Sequence, residues 1–428
     1  MLKLNKITYS YFQLLLFSPL LSYISIAILG LPKGSTFFFV YITVFYGLVY
    51  LFYLGNKLIL PGYIYFLILF AIFIFLRINI YEIDYKRDMH FLTKLYHDFR
   101  YLSMILFIAI IYNTQFSDKF IESSITIIKV TIILAFTASV IQIFDKDFLN
   151  PRQFQEAQSS IEGNLYTFRR SSIFGFVDPN EAGLSFIPLL SVFIGHIIYK
   201  KKRGLLIFLI LGGLICFLTN GRYVIIGFFI VTLQLLYYYK VKFSSAIRYI
   251  FLLILLVPIF FFILKYFGYD FSDWYYQRLL NEGSLYETTR YKAIGTFMKF
   301  FPEHWLFGGG LSISNEVTKA SHLIGSSQIH VGYLSNLAYY GIVGSFFLFG
   351  FWFILARHLY KNAKITNYWG SFFAFAFYLW AQFALVNNSM FFYGLIFALI
   401  FDKYYKDKHI ESFLSTELSF GSSNTTFI

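Results

Sequence analysis

Arg222, Arg290 and His330 stand at or just outside long apolar runs, where a lipid-soluble chain least tolerates ionisable side chains. On the topology read below, all three face the same side of a membrane. A guanidinium is planar, stays charged in low dielectric and grips phosphate oxygens in pairs. An imidazole titrates near neutral pH and takes up a hydroxyl proton. Two such guanidinium groups facing one imidazole are suited to holding a diphosphate while a hydroxyl is deprotonated beside it. Each residue also has a plainer reading. Arg222 can snorkel to the interface, Arg290 can meet lipid headgroups, and His330 can be a hydrogen-bonded residue at a helix start. What links them is their shared side.

Other residues extend the pattern. Arg169 and Arg170 close a long polar loop just before Asp178-Pro179-Asn180, and their guanidinium forks suit an anionic sugar or phosphate. Asp178 or Asn180 can also cap the helix that follows, with Pro179 in its first turn. Asn220-Gly221 precedes Arg222 where only a tight turn fits between two apolar runs. Pro302 and the run Gly308, Gly309, Gly310 give a hinge, or a backbone that approaches a ligand closely. Asp145-Lys146-Asp147 has the form of a metal-holding Asp-x-Asp, but three residues at a loop start carry almost no information. His304, His322 and His330 share a loop, yet their spacing fits no compact zinc site.

These residues must be positioned by a chain that is 58% hydrophobic, 23% aromatic and only 13% charged over 428 residues. A soluble domain carries about 25% charge. Apolar runs of about 20 residues, long enough to cross a hydrocarbon core, recur from end to end. The expected fold is all-α: a polytopic transmembrane bundle of about twelve spans. The net charge of +13 does not point to nucleic acid, because the basic residues cluster in short loops. Lys200 to Arg203, Lys240 to Arg248 and Arg357 to Lys364 mark the cytoplasmic side. Cys216 is the only cysteine, so no intrachain disulfide and no thiolate metal site can form.

The spans are expected near 10–30, 35–54, 58–77, 97–113, 121–143, 180–199, 204–220, 222–239, 247–266, 332–356, 367–386 and 389–402. The fourth is the weakest, since Asp98 and Arg100 intrude at its start. Residues 1–403 form the membrane domain, and two long loops, 145–178 and 268–328, fall outside the cytoplasm. In the second, Leu280, Tyr286, Tyr291, Ile294, Phe297 and Met298 recur at spacings of an amphipathic helix in the membrane interface. Residues 404–428 are expected to be a disordered cytoplasmic tail, the polar stretch after Lys408 frayed.

On these motifs the chain resembles the O-antigen ligase and polymerase superfamily, the Wzy-type polysaccharide polymerases and the ligases that share their core. The ordered matches run over roughly residues 165–360, with 204–360 as the core. Leu218-Thr219-Asn220-Gly221-Arg222 is similar to the family's apolar-run, small-residue, Arg signature, with Gly221 where Ser is usual. Arg290, Pro302 and Phe307-Gly308-Gly309-Gly310-Leu311 resemble its Arg…Pro…Gly-x-Gly stretch. His330-Val331-Gly332-Tyr333-Leu334 leading to Tyr340-Gly341-Ile342-Val343-Gly344 resembles its His-Asn-x-x-Leu…Gly-hydrophobic-hydrophobic-Gly block, with Val331 replacing Asn. Pro179-Asn180…Gly183 matches a further stretch.

The resemblance implies a glycosyltransferase of the bacterial inner membrane, metal-independent, cofactor-free and inverting, with its site facing the periplasm. The substrate would be an undecaprenyl-diphosphate-linked oligosaccharide. Membrane lipids, and a chain-length regulator protein, would be its other partners. Arg222, Arg290 and His330 would be catalytic; Arg169, Arg170, Asn180 and Gly308 to Gly310 would bind substrate. The two long external loops favour a polymerase. A ligase transferring glycan to lipid A core or protein is the alternative, and a transporter or lipid-linked glycan flippase a second one. Transporter folds pair two related halves with broken helices, and no such halves are visible here.

Overall fold

A computed structural model of the chain describes residues 2–16, 37–55, 58–80, 91–144, 179–218, 222–239, 259, 262, 265–266, 289–310, 329, 331–383 and 391–422. The described chain is all-helical, and no strand occurs among the described residues. The helices are α1 (Leu2–Leu16), α2 (Phe37–Leu54), α3 (Ile64–Ile80), α4 (Phe91–Tyr112), α5 (Asp118–Phe144), α6 (Pro179–Tyr199) and α7 (Leu205–Leu218). They continue as α8 (Arg222–Thr232), α9 (Gln234–Tyr239), α10 (Thr289–Phe300), α11 (Gly332–Thr366), α12 (Gly370–Ala381) and α13 (Phe391–Ser422), with a 3-10 turn at Pro302–His304. The expected spans 10–30 and 247–266 fall largely outside the described residues.

Two described helices are long and apolar enough to cross a membrane, over Asp118–Ile141 and Gly332–Thr366. Seven shorter apolar helices of 10–17 residues accompany them. The core is apolar, but large apolar side chains also cover outer faces and some small polar groups lie inside. Phe45, Phe52, Phe346, Phe353 and Leu206 lie exposed on outer faces, while Thr43, Ser124, Ser139, Ser191 and His196 are fully buried.

The contacts define two ends of the bundle. At one, Asn113 and Ile59 exchange hydrogen bonds of 2.9 and 2.8 Å. There Lys202 pairs with Glu122, Tyr404 and Lys408 reach Asp118 at 3.1 and 3.2 Å, and the Tyr405 hydroxyl meets His196 Nδ1 at 2.7 Å. Hydrogen bonds to Glu411 and to Asp118 hold the Lys408 ammonium above the ordinary lysine range. The basic loop at 200–203 and the start of the chain's last polar stretch therefore share this end.

The expectation of a disordered tail is corrected here. α13 runs unbroken from Phe391 through Ser422, so only 423–428 of that stretch lie outside the described residues. Composition missed the reason. Lys403 pairs with Asp407 one turn on, Lys408 with Glu411, and Tyr404, Tyr405 and Lys408 tie the helix to α5 and α6. Such i,i+3 and i,i+4 pairs extend a helix that the bundle has already nucleated.

Candidate functional site

The opposite end of the bundle gathers residues from several elements, and its centre is a break in α11. Gly341 adopts φ 64 and ψ −171, which interrupts the helical hydrogen-bond ladder. In a regular helix the Ile342 amide would bond the Ala338 carbonyl. Instead the Ala338 carbonyl accepts from the Gly309 amide at 2.8 Å, while Ile342 and Val343 donate to the carbonyls of Trp305 and Leu306 at 2.9 and 3.1 Å. Segment 305–309 thus takes over the backbone groups that the kink releases, and the Ala338 carbonyl and the Ile342 and Val343 amides are all paired inside the protein.

Glycine is required on both sides of this clasp. Gly308 also has a positive φ, 74°, and a Cβ there would stand 2.4 Å from the Gly341 nitrogen. A Cβ at Gly341 would stand 2.3 Å from the Gly308 nitrogen. Within the glycine run, the Gly308 amide bonds the His304 carbonyl at 2.7 Å and the Gly309 amide is in the clasp. Gly310 follows at φ 58 and is buried.

The clasp fixes the elements on either side of it. Phe297 and Phe301 stack at 4.6 Å and pack with Phe300 against Ile329, Val331, Leu334, Leu337 and Ala338. α10 is thereby held against the residues that flank position 330. The apolar residues of α10 divide between two faces. Phe297 is buried toward α11, whereas Ile294 and Met298, one turn apart, are exposed outward. Arg290 is the second residue of α10, about 10 Å along the helix axis from Phe297.

Arg222 opens α8, and the packing of α8 and α9 on α12 sets its level. Gln234, on α9, bonds the Ser191 carbonyl at 3.3 Å, and Ser191 bonds the Gly370 carbonyl at 2.7 Å. Seven residues away along each helix, the Phe377 ring covers Gly227, where a Cβ would stand 2.2 Å from it. The two helices are therefore antiparallel, and Arg222 is level with Gln382. The Gln382 carbonyl accepts from the Tyr333 amide at 3.4 Å, and the Tyr333 hydroxyl bonds the Leu379 carbonyl at 2.8 Å. The start of α8, the start of α11 and the Phe297–Phe301 end of α10 accordingly lie at one end of the bundle, with α12 between α8 and α11.

The backbones of Arg222 and Arg290 are placed in this way, and Asn180 is the second residue of α6. Arg169, Arg170 and His330 lie outside the described residues, as do Leu280 and Tyr286 of the expected interfacial helix. Among the described residues no group of three or more His, Cys, Asp or Glu could hold a metal ion.

Sequence reasoning did not select two further arginines that sit at this end. Arg77, in the last turn of α3, donates to the Gly308 carbonyl. Arg100, on α4, donates to the Tyr340 hydroxyl at 2.8 Å and the Tyr101 hydroxyl at 2.5 Å, and the two hydroxyls meet at 2.8 Å. The Arg100 guanidinium also lies 4.4 Å from the Tyr101 ring centroid, a cation–π distance. Phe70 packs edge-on against both Tyr101 and Tyr340 at 4.8 and 5.0 Å. The sequence signal was a charged residue at each edge of an apolar run, which snorkelling explains equally well. Two half-buried guanidinium groups therefore flank residues 340–341 from α3 and α4. No protein family model and no curated protein matches this chain.

Proposed function

We propose that the chain is a multi-pass glycosyltransferase of the bacterial inner membrane, a polymerase of O-antigen or a related surface polysaccharide. The bundle of about twelve spans would place the Gly308–Gly341 end in the periplasm and the basic loops in the cytoplasm. Outward-facing Phe and Leu, small polar groups buried between helices and two long apolar helices support a membrane location.

One observation carries the reading: the helix opened by Arg222, the helix bearing Arg290 and the residues on either side of position 330 lie at the same end of the bundle. A glycan arrives there on undecaprenyl diphosphate. The acceptor hydroxyl, on another lipid-linked repeat unit, gives its proton to His330. Its oxygen forms a bond to the anomeric carbon as the bond from that carbon to the diphosphate oxygen breaks. The electron pair leaves with the lipid diphosphate, and Arg222 and Arg290 offset the charge that builds on it. Preorganised cations in a partly dry site are the strongest single device for this purpose. No nucleotide is consumed, because the anomeric diphosphate is itself the leaving group.

The direct test is purified protein in lipid nanodiscs with synthetic lipid-linked repeat units. A polymer ladder is expected with no nucleotide or metal added, and its absence counts against the reading. Genetics separates polymerase from ligase. Loss of a polymerase leaves single repeat units on the outer-membrane lipid, whereas loss of a ligase leaves none, and the second outcome would overturn the choice made here.

A further inference from the structure

We propose that Arg77 is a positioning residue for the transfer site, an inference that rests on the transferase reading above. Arg77 reaches the site through the backbone of the clasp. It acts through the Gly308 carbonyl. That carbonyl belongs to a buried residue, and the segment around it has already committed its amides to His304 and Ala338. A charge-assisted bond is about twice as strong as a neutral one, so this donor adds a strong side-chain tie to the backbone bonds of the clasp.

The origin of the side chain matters as much as its target. α3 is anchored along α11 by aromatic contacts one and two turns below Arg77. A Cβ at Gly344 would stand 2.4 Å from the Phe73 ring, and Phe70 packs on Tyr340 at 5.0 Å. α3 is therefore fixed independently of the long loop, and Arg77 extends that rigidity to segment 305–309. From there it passes in two directions: back to α10 with Arg290, and across to Ile329 and Val331 through Phe297 and Phe301. With the Arg77 donor removed, the Gly308 carbonyl loses a charged partner in a buried setting. α10 can then shift relative to the α11 entry while the rest of the bundle stays folded. A displacement of about 1 Å between reacting groups costs roughly 100-fold in rate.

The test uses the full chain in nanodiscs with lipid-linked repeat units, comparing Arg77→Met and Arg77→Lys with wild type. Spin labels at Met298→Cys and Phe346→Cys, both exposed sites on α10 and α11, report the distance between the two helices. Cys216 is fully buried and does not compete for label. Arg77→Met is expected to broaden the distance distribution and lower kcat roughly 100-fold with KM nearly unchanged. Arg77→Lys, which can still donate to a carbonyl, is expected to narrow the distribution and recover kcat to within about tenfold. A wild-type distance distribution in Arg77→Met overturns the proposal, and so does a loss confined to KM, which would make Arg77 a substrate ligand. Failure of the wild-type chain to make polymer overturns the transferase reading instead. The label distances then still decide whether Arg77 positions α10.

Discussion

Arg222 and Arg290 have the most demanding task in the proposed transfer, because the charge they offset exists fully only as the glycosidic bond breaks. Replacing either by Ala is expected to abolish the polymer ladder while leaving the protein in the membrane fraction; loss of one such donor typically costs about 10²–10³ in rate. Lys at either position is expected to rescue poorly, since it lacks the planar fork. Gel analysis of surface polysaccharide beside an immunoblot of membranes checks both outcomes, and a wild-type chain-length distribution in an Arg290→Ala strain would defeat the assignment. The Arg100 cluster calls for a milder outcome. Tyr340→Phe removes one hydroxyl but leaves Arg100 bonded to Tyr101, so about 0.5–1.5 kcal/mol of stability should be lost. Thermal unfolding in detergent measures it, and an unchanged transition would mean the hydroxyl contributes nothing. Arg222 and Arg290 stood out in the sequence by residue type and by side. Arg77 and Arg100 did not, because their partners, Gly308 and Tyr340, lie 231 and 240 residues away along the chain. No local pattern records such a pairing.

Between elements, the kink in α11 and the turn before Gly308 are a single feature made by two segments. Gly308→Ala and Gly341→Ala each force a side chain onto a positive-φ backbone, at about 1–3 kcal/mol, before any cost from the close contact. Both are expected to lower the unfolding temperature by several degrees, as a thermal shift assay would report. The double variant should lose much less than the sum, because each single change already opens the same clasp. Simple additivity would show that the two glycines act separately. Glycine and proline punctuation did mark where α10 ends, since the helix stops at Phe300, just before Pro302. What the glycines do was not legible. A glycine run reads alike whether its backbone meets a ligand or another stretch of the same chain. The spacing of Ile294, Phe297 and Met298 likewise signalled a helix, but it could not divide those residues between a face toward α11 and a face turned outward.

For the molecule as a whole, the long apolar runs made the all-helical fold legible, because hydropathy over a span-length window integrates many residues and tolerates local error. Which helix packs on which was not legible, nor was the helical continuation of α13, whose ties to Asp118 and His196 come from distant parts of the chain. The proposed orientation can be tested by chemistry alone. A cysteine at exposed Phe307 should react with a membrane-impermeant maleimide added outside spheroplasts, whereas Ser412→Cys should react only after permeabilisation. The opposite pattern would invert the topology and remove the proposed site from the periplasm. The clasp also bears on how this protein can change over time. Two positions joined by mutual exclusion of a side chain form one heritable unit, so a lineage that gives up either glycine gains little by keeping the other. Chains that have drifted apart elsewhere should be recognisable by retaining both, together with a cation that meets them from the third helix.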